Sequence, residues 1–461
     1  MMKRSKRILV RLAIALIVIS IWTVGFLLRK QPNATETPAP PTSEAISETS
    51  QVKEQSQTKE PDSSQQQIPN EQKPESMEIS EEATHIENAV EAPQASNSFD
   101  LEVEAYELSE SFSIILSDGM PSDMLLDRNY TTKYTFRRES SIELIADEDI
   151  HSLYIIWDLP PGQWHISSEE GLTYGQDGFI HEYIKLSNPQ SKLTMLLPES
   201  SATICDVYAF SEGTPPHWVQ SWLPPLNEAD MLVLPTHADD EHLFFVGVLP
   251  YYAGQRGYRV QVAYMTHHWT EPPRPHELLN GLWTVGIRNY PVISSFNDLY
   301  ADSLQQAQSL YGFDSIVDFH VELLRRFKPR VVVGHDLNGE YGHGAHMLNA
   351  HTLRAAAELA ADANYHEGSY SLYGAWDTPK LYLHLYADNS IIMDWDVPLE
   401  AFGGATARDM AIAGYDCHLS QHRWSFSVPR TNESLSGHMF GLVKTTVGPD
   451  LTGGDMFENI G

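Results

Sequence analysis

The chain has 461 residues, enough for two or three domains, and 42% of them are hydrophobic, which suffices for globular cores but not for a polytopic membrane protein. Its formal net charge of -32 argues against nucleic acid as a partner, because phosphate binding needs basic surfaces. We therefore expect an acidic, well-solvated globular protein, and nothing in the sequence implies a protein partner.

The N-terminus concentrates positive charge around an apolar run at residues 12–28. Five basic residues precede the run and two follow it: Lys3, Arg4, Lys6, Arg7 and Arg11, then Arg29 and Lys30. Counted from residue 8, the segment is long enough to cross a bilayer as a helix, and the charge asymmetry predicts a cytoplasmic N-terminus. We predict a basic cytoplasmic tail (1–7) and a transmembrane signal-anchor (8–28) in the cell membrane, with the rest extracytoplasmic. A cleaved signal peptide, giving a secreted protein, is the alternative.

Residues 29–98 are predicted to form a disordered acidic linker. From residue 31 to 98 the segment contains no Phe, Tyr or Trp and is rich in Pro, Ser, Thr, Gln and Glu. Such a composition buries too little apolar surface to offset the entropy lost on ordering. We expect a stalk that carries the globular part away from the membrane.

Residues 99–225 are predicted to be all-β. Short apolar or aromatic runs recur between turn residues, at 111–116, 153–157, 192–197 and 203–208. This pattern is typical of a sandwich or jelly roll. Residues 126–134 (LDRNYTTKY) resemble an early loop of discoidin-like, galactose-binding-like modules. That resemblance implies an accessory β-sandwich that binds glycan, and a purely structural domain is the alternative.

After Pro224 and Pro225 the pattern changes to alternating strands and helices. Strands are predicted at 231–234, 258–265 and 330–333, and helices at 303–327 and 347–363. This alternation predicts a Rossmann-like, mainly parallel α/β sheet within residues 226–461. Functional residues of such sheets gather beyond the carboxyl ends of strands, where His237 and His335 lie.

The two cysteines, Cys205 and Cys417, fall in different predicted domains, and neither has CxxC spacing. We expect two unpaired buried thiols, with a cross-domain disulfide as the alternative.

Two histidine-containing segments follow predicted strands, at residues 236–241 (THADDE) and 343–346 (HGAH). They supply the ligand types of a catalytic zinc site, with one carboxylate to spare as a base. The carboxylates alone could simply cap a helix N-terminus. The joint placement of the two segments favours metal-assisted hydrolysis, and no GxSxG serine elbow or Cys/His pair in the sequence offers a competing mechanism.

Four ordered segments within about residues 229–422 resemble the PIG-L/LmbE family of zinc-dependent N-acetylglucosaminyl deacetylases. They are THADDE at 236–241 (family motif (P/A)HPDDE), RPHE at 274–277 (RxxE) with Gly286 and Ile287 after it, HDLNGEYGHGAH at 335–346 (HDxxGxYGHxDH) and HLSQ at 418–421 (HxSQ). Ala238 replaces the usual proline, and Ala345 stands where many members have aspartate, so a contact that orients a ligand is expected to be missing.

The resemblance implies Zn²⁺ as the cofactor and a set of residues that hold and use it. His237, Asp240 and His346 would ligate the metal and leave one position open for water. Asp239 would be the general base that deprotonates that water. Glu241 would orient its neighbours or cap a helix.

The resemblance also assigns residues to the substrate. Tyr341 and His343 match residues that stabilise the developing oxyanion or protonate the leaving amine. Arg274 matches a position that contacts sugar hydroxyls. His384 could approach the site, although a satisfied strand histidine is the simpler interpretation.

These expectations together describe a membrane-anchored zinc hydrolase that removes an N-acetyl group from an amino sugar, such as an N-acetylglucosamine-type surface glycan. Two alternatives stay open: another amidase or esterase on the same scaffold, and a catalytically decayed glycan-binding protein. Iron or cobalt could also occupy the predicted metal site.

Overall fold

The computed structural model describes residues 103–460 apart from 118, 121, 139, 431 and 432. The predicted cytoplasmic tail, signal-anchor and acidic linker (residues 1–98) all lie outside the described residues. None of the helices within the described ranges is long and apolar enough to cross a membrane.

The first part of the described chain is an antiparallel sheet of six strands. They are β1 (Ser113–Leu116), β2 (Tyr134–Phe136), β3 (Ser141–Trp157), β4 (His165–Ile166), β5 (His181–Leu196) and β6 (Ala202–Phe210). The strand order is β2-β6-β3-β5-β4, and β1 pairs with the first half of β3. The antiparallel strands agree with the all-β prediction for this region. All six belong to one hydrogen-bonded sheet, so the sandwich arrangement and its glycan-binding role stay predictions.

The second part is a mixed sheet with the order β12-β13-β11-β10-β7-β8-β9. Its strands are β7 (Met231–Val233), β8 (Val260–Tyr264), β9 (Val292–Ile293), β10 (Val331–Gly334), β11 (Lys380–His384), β12 (Ser390–Ile392) and β13 (Met439–Thr445). Strands β7 to β11 pair in parallel and β12 and β13 pair antiparallel, so the sheet is mainly parallel, as predicted. The division of the chain into domains at residue 226 stays a prediction.

Helices cover the second sheet on both faces. They are α1 (Asp240–Leu243), α2 (Arg274–Thr284), α3 (Leu304–Tyr311), α4 (Phe313–Phe327), α5 (Gly344–Leu359), α6 (Glu367–Tyr373) and α7 (Ala407–Asp416), with a π-helical turn at Pro250–Gln255 and 3-10 turns at Asp123–Leu126, Glu340–Gly342 and Glu400–Phe402. Alternate residues of β7 face opposite cores: Met231 and Val233 pack in one cluster, and Leu232 packs with α4 and α5 in the other. Burial on both faces explains why this strand reads as an uninterrupted apolar run.

The predicted single helix over 303–327 is wrong, because Gly312 divides it into α3 and α4. Gly312 has φ 79° and ψ 121°, a backbone conformation that side chains with a Cβ rarely adopt. The apolar spacing continues across the break, which is why periodicity alone predicted one helix.

Replacing Gly312 with alanine should lower the free energy of unfolding by about 1–2 kcal/mol, because alanine is strained at a positive φ. Its Cβ would also lie 3.2 Å from the Ser315 hydroxyl. Urea unfolding measures the change. Gly368→Ala is the matched control: Gly368 lies in α6 with open space at its Cβ, so that substitution should be neutral or stabilising. Equal effects at both positions would contradict the assigned strain.

The β-rich part packs directly against the second part. The rings of Phe179 and Tyr290 stack with centroids 4.5 Å apart, and His181 Nε2 lies 3.0 Å from His276 Nδ1 on α2. Both cysteines are free, as predicted, so the alternative cross-domain disulfide is not formed; Cys205 is buried as expected, whereas Cys417 is only half-buried.

Asp206 on β6 gives this region a pH-dependent stability. Burial raises the pKa of Asp206 from 3.8 to about 6, against the opposing hydrogen bond from the Arg128 amide. Because the folded state holds this proton more tightly than the unfolded chain, the Asp206 contribution destabilises the fold as pH rises from about 4 to about 6.

Relative to Asp206→Asn, the wild-type free energy of unfolding should therefore fall by up to about 3 kcal/mol between pH 4 and pH 7. Urea titrations of both proteins at several pH values measure the difference. Parallel pH profiles for the two proteins would contradict the assignment.

Candidate metal and catalytic site

The candidate site lies beyond the carboxyl ends of β7 and β10, which are neighbours in the sheet. Val233 pairs with Val333, so the loops that follow both strands leave the sheet side by side. The first loop carries His237, Asp239 and Asp240, and the second leads to Tyr341, His343 and His346 at the start of α5. The fold thus brings together the two histidine-containing segments that the sequence singled out.

Three side-chain atoms converge between these loops. His237 Nδ1 lies 3.1 Å from His346 Nε2 and 3.3 Å from Asp240 Oδ2, and His346 Nε2 lies 3.4 Å from the same oxygen. Ligands that stand about 2.0–2.1 Å from a tetrahedral zinc ion are about 3.3 Å from one another. The spacing and the mixed nitrogen and oxygen donors therefore fit a divalent metal ion.

Glu340 fixes the orientation of His346. Its Oε2 lies 2.8 Å from His346 Nδ1, which therefore donates its hydrogen and leaves the Nε2 lone pair for a metal. The same oxygen lies 2.8 Å from His335 Nδ1, and Oε1 lies 2.7 Å from His384 Nδ1. Burial favours the protonated acid, but the three imidazoles hold the pKa of Glu340 well below its ordinary value. Glu340 is thus the buried anion around which the histidines are arranged.

Asp298 has the corresponding place beside His237. Its Oδ1 lies 3.4 Å from His237 Nε2, while His237 Nδ1 faces Asp240 and His346. Burial opposes protonation, yet Asp298 and Asp240 raise the pKa of His237 to about 10. Each candidate histidine ligand therefore has a carboxylate at its outward nitrogen, an arrangement typical of metal-bound histidines.

His335 is close to the donor atoms, and it could join Asp240 and His346 in holding a metal only by giving up a protein contact. Its Nε2 lies 3.4 Å from Asp240 Oδ2 and accepts a hydrogen bond from the Thr236 amide at 3.0 Å. Since Nδ1 donates to Glu340, both ring nitrogens are used. His335 therefore supports the loop after β7.

Asp239 sits at a strained point of that loop. Its φ is 116°, a conformation rare for a residue with a side chain. Its amide donates to Glu241 Oε2 at 3.2 Å, and Arg274 donates to the neighbouring Ala238 carbonyl at 2.7 Å. Such strain persists only where the surroundings hold the backbone in place, and it is common at active sites.

The two adjacent aspartates differ in their electrostatics. Burial and the charge of Asp240 raise the pKa of Asp239 well above its ordinary value. Burial opposes ionisation of Asp240 as well, but His346 and His237 hold its pKa well below its ordinary value. One carboxylate is therefore a permanent anion suited to a metal, and the other is suited to exchange a proton.

His343 caps α5 and presents one nitrogen to the site. Its Nδ1 accepts a hydrogen bond from the Ala345 amide at 3.3 Å, so Nε2 carries the hydrogen of the neutral ring. Burial, together with His237 and His346, lowers the pKa of His343 to about 3. His343 is therefore a neutral donor beside the convergent atoms.

Tyr341 stands at the mouth of the site with a positive φ of 46°. Its ring packs against Phe426 and His346, with centroids 5.1 and 5.6 Å away, and about half of the side chain is exposed. Burial and the nearby carboxylates raise its pKa, so the phenol is a neutral donor.

Arg274 lies at the site with its guanidinium engaged by protein groups. Besides the bond to Ala238, it lies 3.6 Å from Asp239 Oδ1 and 3.8 Å from Asp298 Oδ2. The structure thus places Arg274 as a clamp on the loop after β7, and its contact with sugar hydroxyls stays a prediction.

The remaining two motifs meet each other beside the site. The Ser420 amide and hydroxyl donate to the two carboxylate oxygens of Glu277, at 2.8 and 2.6 Å. Glu277 follows Arg274 on α2, and Ser420 precedes Gln421, which lines the cavity. The contact attaches the segment after α7 to the helix that carries Arg274.

A cavity of about 460 Å³ opens in front of the convergent atoms. Its wall includes His237, Asp239, Asp240 and Arg274, and its rim carries partly exposed rings: Tyr300, Tyr341, Trp424 and Phe426. Aromatic walls with a few convergent polar groups are typical of small-molecule sites.

Sequence reasoning missed two contributors to this site, Glu340 and Asp298, and it did not identify the partners of His384. Glu340 lies inside the HDLNGEYGHGAH segment, where its spacing to His343 and His346 was the only available signal. Asp298 lies in a loop after β9 with no periodic pattern around it. Both ring nitrogens of the strand residue His384 have hydrogen-bond partners, in agreement with the simpler interpretation. One partner is Glu340 and the other is the Ser436 carbonyl.

The chain is similar over short segments to bacterial deacetylases. It is 41% identical over 70 residues to the 1D-myo-inositol 2-acetamido-2-deoxy-alpha-D-glucopyranoside deacetylase of Rhodococcus erythropolis, and 41% identical over 69 residues to deacetylase 2 of the same description from Saccharopolyspora erythraea. Each match covers 15% of this chain and 22% or 24% of the relative, so the chain spans about a quarter or less of these relatives' length. These matches support the resemblance to PIG-L/LmbE deacetylases that was inferred from the sequence motifs.

No protein-family model matches the chain. Among solved structures, the conserved protein TT1542 from Thermus thermophilus is 22% identical, with a TM-score of 0.30, over 43% of this chain and 82% of that one. The N,N'-diacetylchitobiose deacetylase from Pyrococcus horikoshii is 15% identical, with a TM-score of 0.33, over 43% of this chain and 72% of that one. TM-scores this low support no assignment, so the metal-site geometry and the local sequence similarity carry the functional conclusion.

Proposed function

We propose that the chain is a zinc-dependent hydrolase that removes the N-acetyl group from an amino sugar. The observation that carries the proposal is the convergence of His237 Nδ1, Asp240 Oδ2 and His346 Nε2 within 3.1–3.4 Å of one another, beside the separate carboxylate of Asp239. The local similarity to sugar deacetylases supports the reaction class.

The residues around the cavity supply what amide hydrolysis requires. When bound by His237, Asp240 and His346, zinc supplies Lewis-acid chemistry that lowers the pKa of water and polarises a carbonyl. Asp239 accepts the proton of the attacking water, and its raised pKa lets it hold that proton. His343 Nε2 and the Tyr341 hydroxyl donate hydrogen bonds to the developing oxyanion or the leaving nitrogen. The C–N bond breaks to give acetate and a free amine.

The rim of the cavity supports a sugar as the substrate. Exposed rings of Tyr300 and Trp424 stand beside polar groups of Gln421 and Arg423, which suits a ligand with both apolar C–H faces and hydroxyls. This composition suits an amino sugar within a larger glycan.

Trp424→Ala should raise KM for an N-acetylglucosamine oligosaccharide about fivefold and leave kcat almost unchanged, because a ring at the rim contributes about 1 kcal/mol of binding in substrate and transition state alike. Steady-state kinetics measure both constants. Leu451→Ala, at an exposed apolar residue that is not among those lining the cavity, is the control. A loss in kcat with unchanged KM would contradict a binding role for Trp424.

The reaction is tested by acetate release from a panel of N-acetylated amino sugars, other amides and esters. The full-length chain should release acetate from the sugars, lose activity after chelation and regain it with zinc. His237→Ala should abolish both activity and recovery. If only other amides or esters are hydrolysed in a zinc-dependent way, the chain is an amidase or esterase and not a sugar deacetylase. If glycan binds but no substrate is hydrolysed, the chain is a decayed binding protein.

For localisation, we propose that residues 8–28 anchor the chain in the cell membrane with the catalytic part extracytoplasmic. The basic residues before the apolar run and the length of that run support this orientation. External protease applied to intact cells should degrade the folded part while an N-terminal tag stays protected. Recovery of the chain in the cytoplasmic fraction would contradict the anchor.

A further inference from the structure

A second group of histidine and carboxylate side chains lies behind the candidate active site. Glu241, His242 and His418 are almost completely buried, with exposed fractions of 2%, 1% and 0%. One ligand atom from each residue lies within 4.8 Å of the others, and Glu241 Oε1 is 3.3 Å from His242 Nε2. None of the three belongs to the donor set of His237, Asp240 and His346.

Four side-chain polar atoms of this cluster are buried without a hydrogen bond within the described part of the chain. Glu241 Oε1, His242 Nε2 and both ring nitrogens of His418 make no hydrogen bond of normal geometry with the described residues, and the Tyr264 hydroxyl beside Glu241 is likewise unpaired. A buried polar atom without a partner costs about 1–3 kcal/mol, and native structures contain few of them. One unpaired atom from each of the three residues at one place indicates a bound group between them, because an imidazole offers only one of its nitrogens to a given ion.

The surrounding helices make room for these rings. Gly414 in α7 has no Cβ, and one placed there would lie 2.4 Å from His242 Cε1. A Cβ on Gly281 in α2 would lie 2.6 Å from His242 Nε2 and 2.9 Å from His418 Nε2. The two glycines therefore create the space in which the imidazoles of different chain segments face each other.

We propose that Glu241, His242 and His418 form a second metal site for a divalent transition metal such as zinc. Two imidazole nitrogens and a carboxylate oxygen are the ligand types of His2Glu zinc sites. A single buried water normally makes two to four hydrogen bonds, and it is the competing occupant that the experiment must exclude. The ion would join α1 to the segment after α7.

The second site is coupled to the candidate base through one side chain. Glu241 Oε2 accepts the amide hydrogen of Asp239 at 3.2 Å, whereas Oε1 lies 3.3 Å from His242 Nε2. An ion at Oε1 would fix the carboxylate that supports the strained backbone of Asp239. This consequence rests on the proposed function, whereas the metal site does not. Glu241 is accordingly a positioning residue.

Metal content of the full-length chain tests the site independently of activity. After zinc loading and dialysis, elemental analysis should find about two zinc ions per wild-type chain and about one in His237→Ala/His346→Ala. Adding His418→Leu to that double variant should remove the last ion, and His418→Leu alone should keep one. His418→Leu replaces a buried imidazole with an apolar side chain, which limits the loss of packing.

Cobalt provides a second readout that does not depend on a folded His418 variant. In His237→Ala/His346→Ala, bound Co²⁺ should give visible d–d absorption, and zinc addition should abolish it and raise Tm. Glu241→Gln in the same background should weaken cobalt binding at least tenfold. The proposal is overturned if the double variant binds neither zinc nor cobalt, as expected if only water occupies this place. It is also overturned if the metal of the double variant persists after His418 is replaced. Absence of deacetylase activity with this second ion retained would overturn the proposed function alone.

Discussion

Asp239→Asn should lower kcat by about two to four orders of magnitude while the chain stays folded and keeps its zinc. Asparagine has nearly the same shape but cannot accept a proton from water, and positioned general bases contribute this range of rate. The amide of residue 239 can still donate to Glu241, so the strained loop is expected to survive the substitution. Steady-state kinetics and elemental analysis measure the two quantities together.

Asp240→Asn is the matched comparison, because it changes the neighbouring carboxylate in the same way. Its Oδ2 lies 3.3–3.4 Å from the candidate ligand nitrogens, so this variant should lose zinc as well as activity. The pair separates proton transfer from metal binding. Near-normal kcat in Asp239→Asn, or the same zinc loss in both variants, would contradict the division of roles.

Glu340→Gln should weaken zinc binding about 10–100-fold, because the carboxylate orients His346 and stabilises the hydrogen on its Nδ1. The side chain is completely buried and also contacts His335 and His384, so removing its charge disturbs three imidazoles at once. Competition with a chelator of known affinity measures the change in Kd.

Asp336→Asn is the control for Glu340→Gln, since Asp336 lies in the same loop and its side chain accepts only local hydrogen bonds from Asn338 among the described contacts. It should leave the zinc Kd within about twofold, as expected of surface substitutions away from special features. An unchanged zinc Kd in Glu340→Gln would show that the carboxylate has no part in metal binding.

The part of the candidate site that follows the ends of β7 and β10 could be predicted from the sequence. Buried strands at 231–234 and 330–333 are recognisable by composition, and their neighbouring positions in a parallel sheet bring His237 and His346 together. The resemblance of THADDE and HGAH to the family motifs supplied the candidate ligand set, and the structure brings its three donor atoms within 3.1–3.4 Å of one another.

The contacts that orient those ligands could not be predicted in the same way. Asp298 reaches His237 from a loop after β9, and His384 reaches Glu340 from β11, so each contact depends on the complete chain path. The prediction of a single helix over 303–327 was wrong for a different reason. Apolar periodicity continues across Gly312, and only the φ of 79° at this residue reveals the break. Periodicity reports which face is buried, whereas a positive φ is decided by local backbone geometry.

The β-rich part makes buried contacts with the second part of the chain, which carries the candidate site. His181 on β5 contacts His276 on α2, the same helix that carries Arg274 at the candidate site. Buried contacts between the two parts make independent motion of the first sheet costly.

The most direct test of the central claim is simultaneous measurement of acetate and free amine released from an N-acetylglucosamine oligosaccharide by the zinc-loaded, full-length chain. The account predicts equal amounts of both products, with release lost on chelation and restored by zinc. No amine from any N-acetyl sugar, from a chain that demonstrably holds zinc through His237, Asp240 and His346, would contradict it.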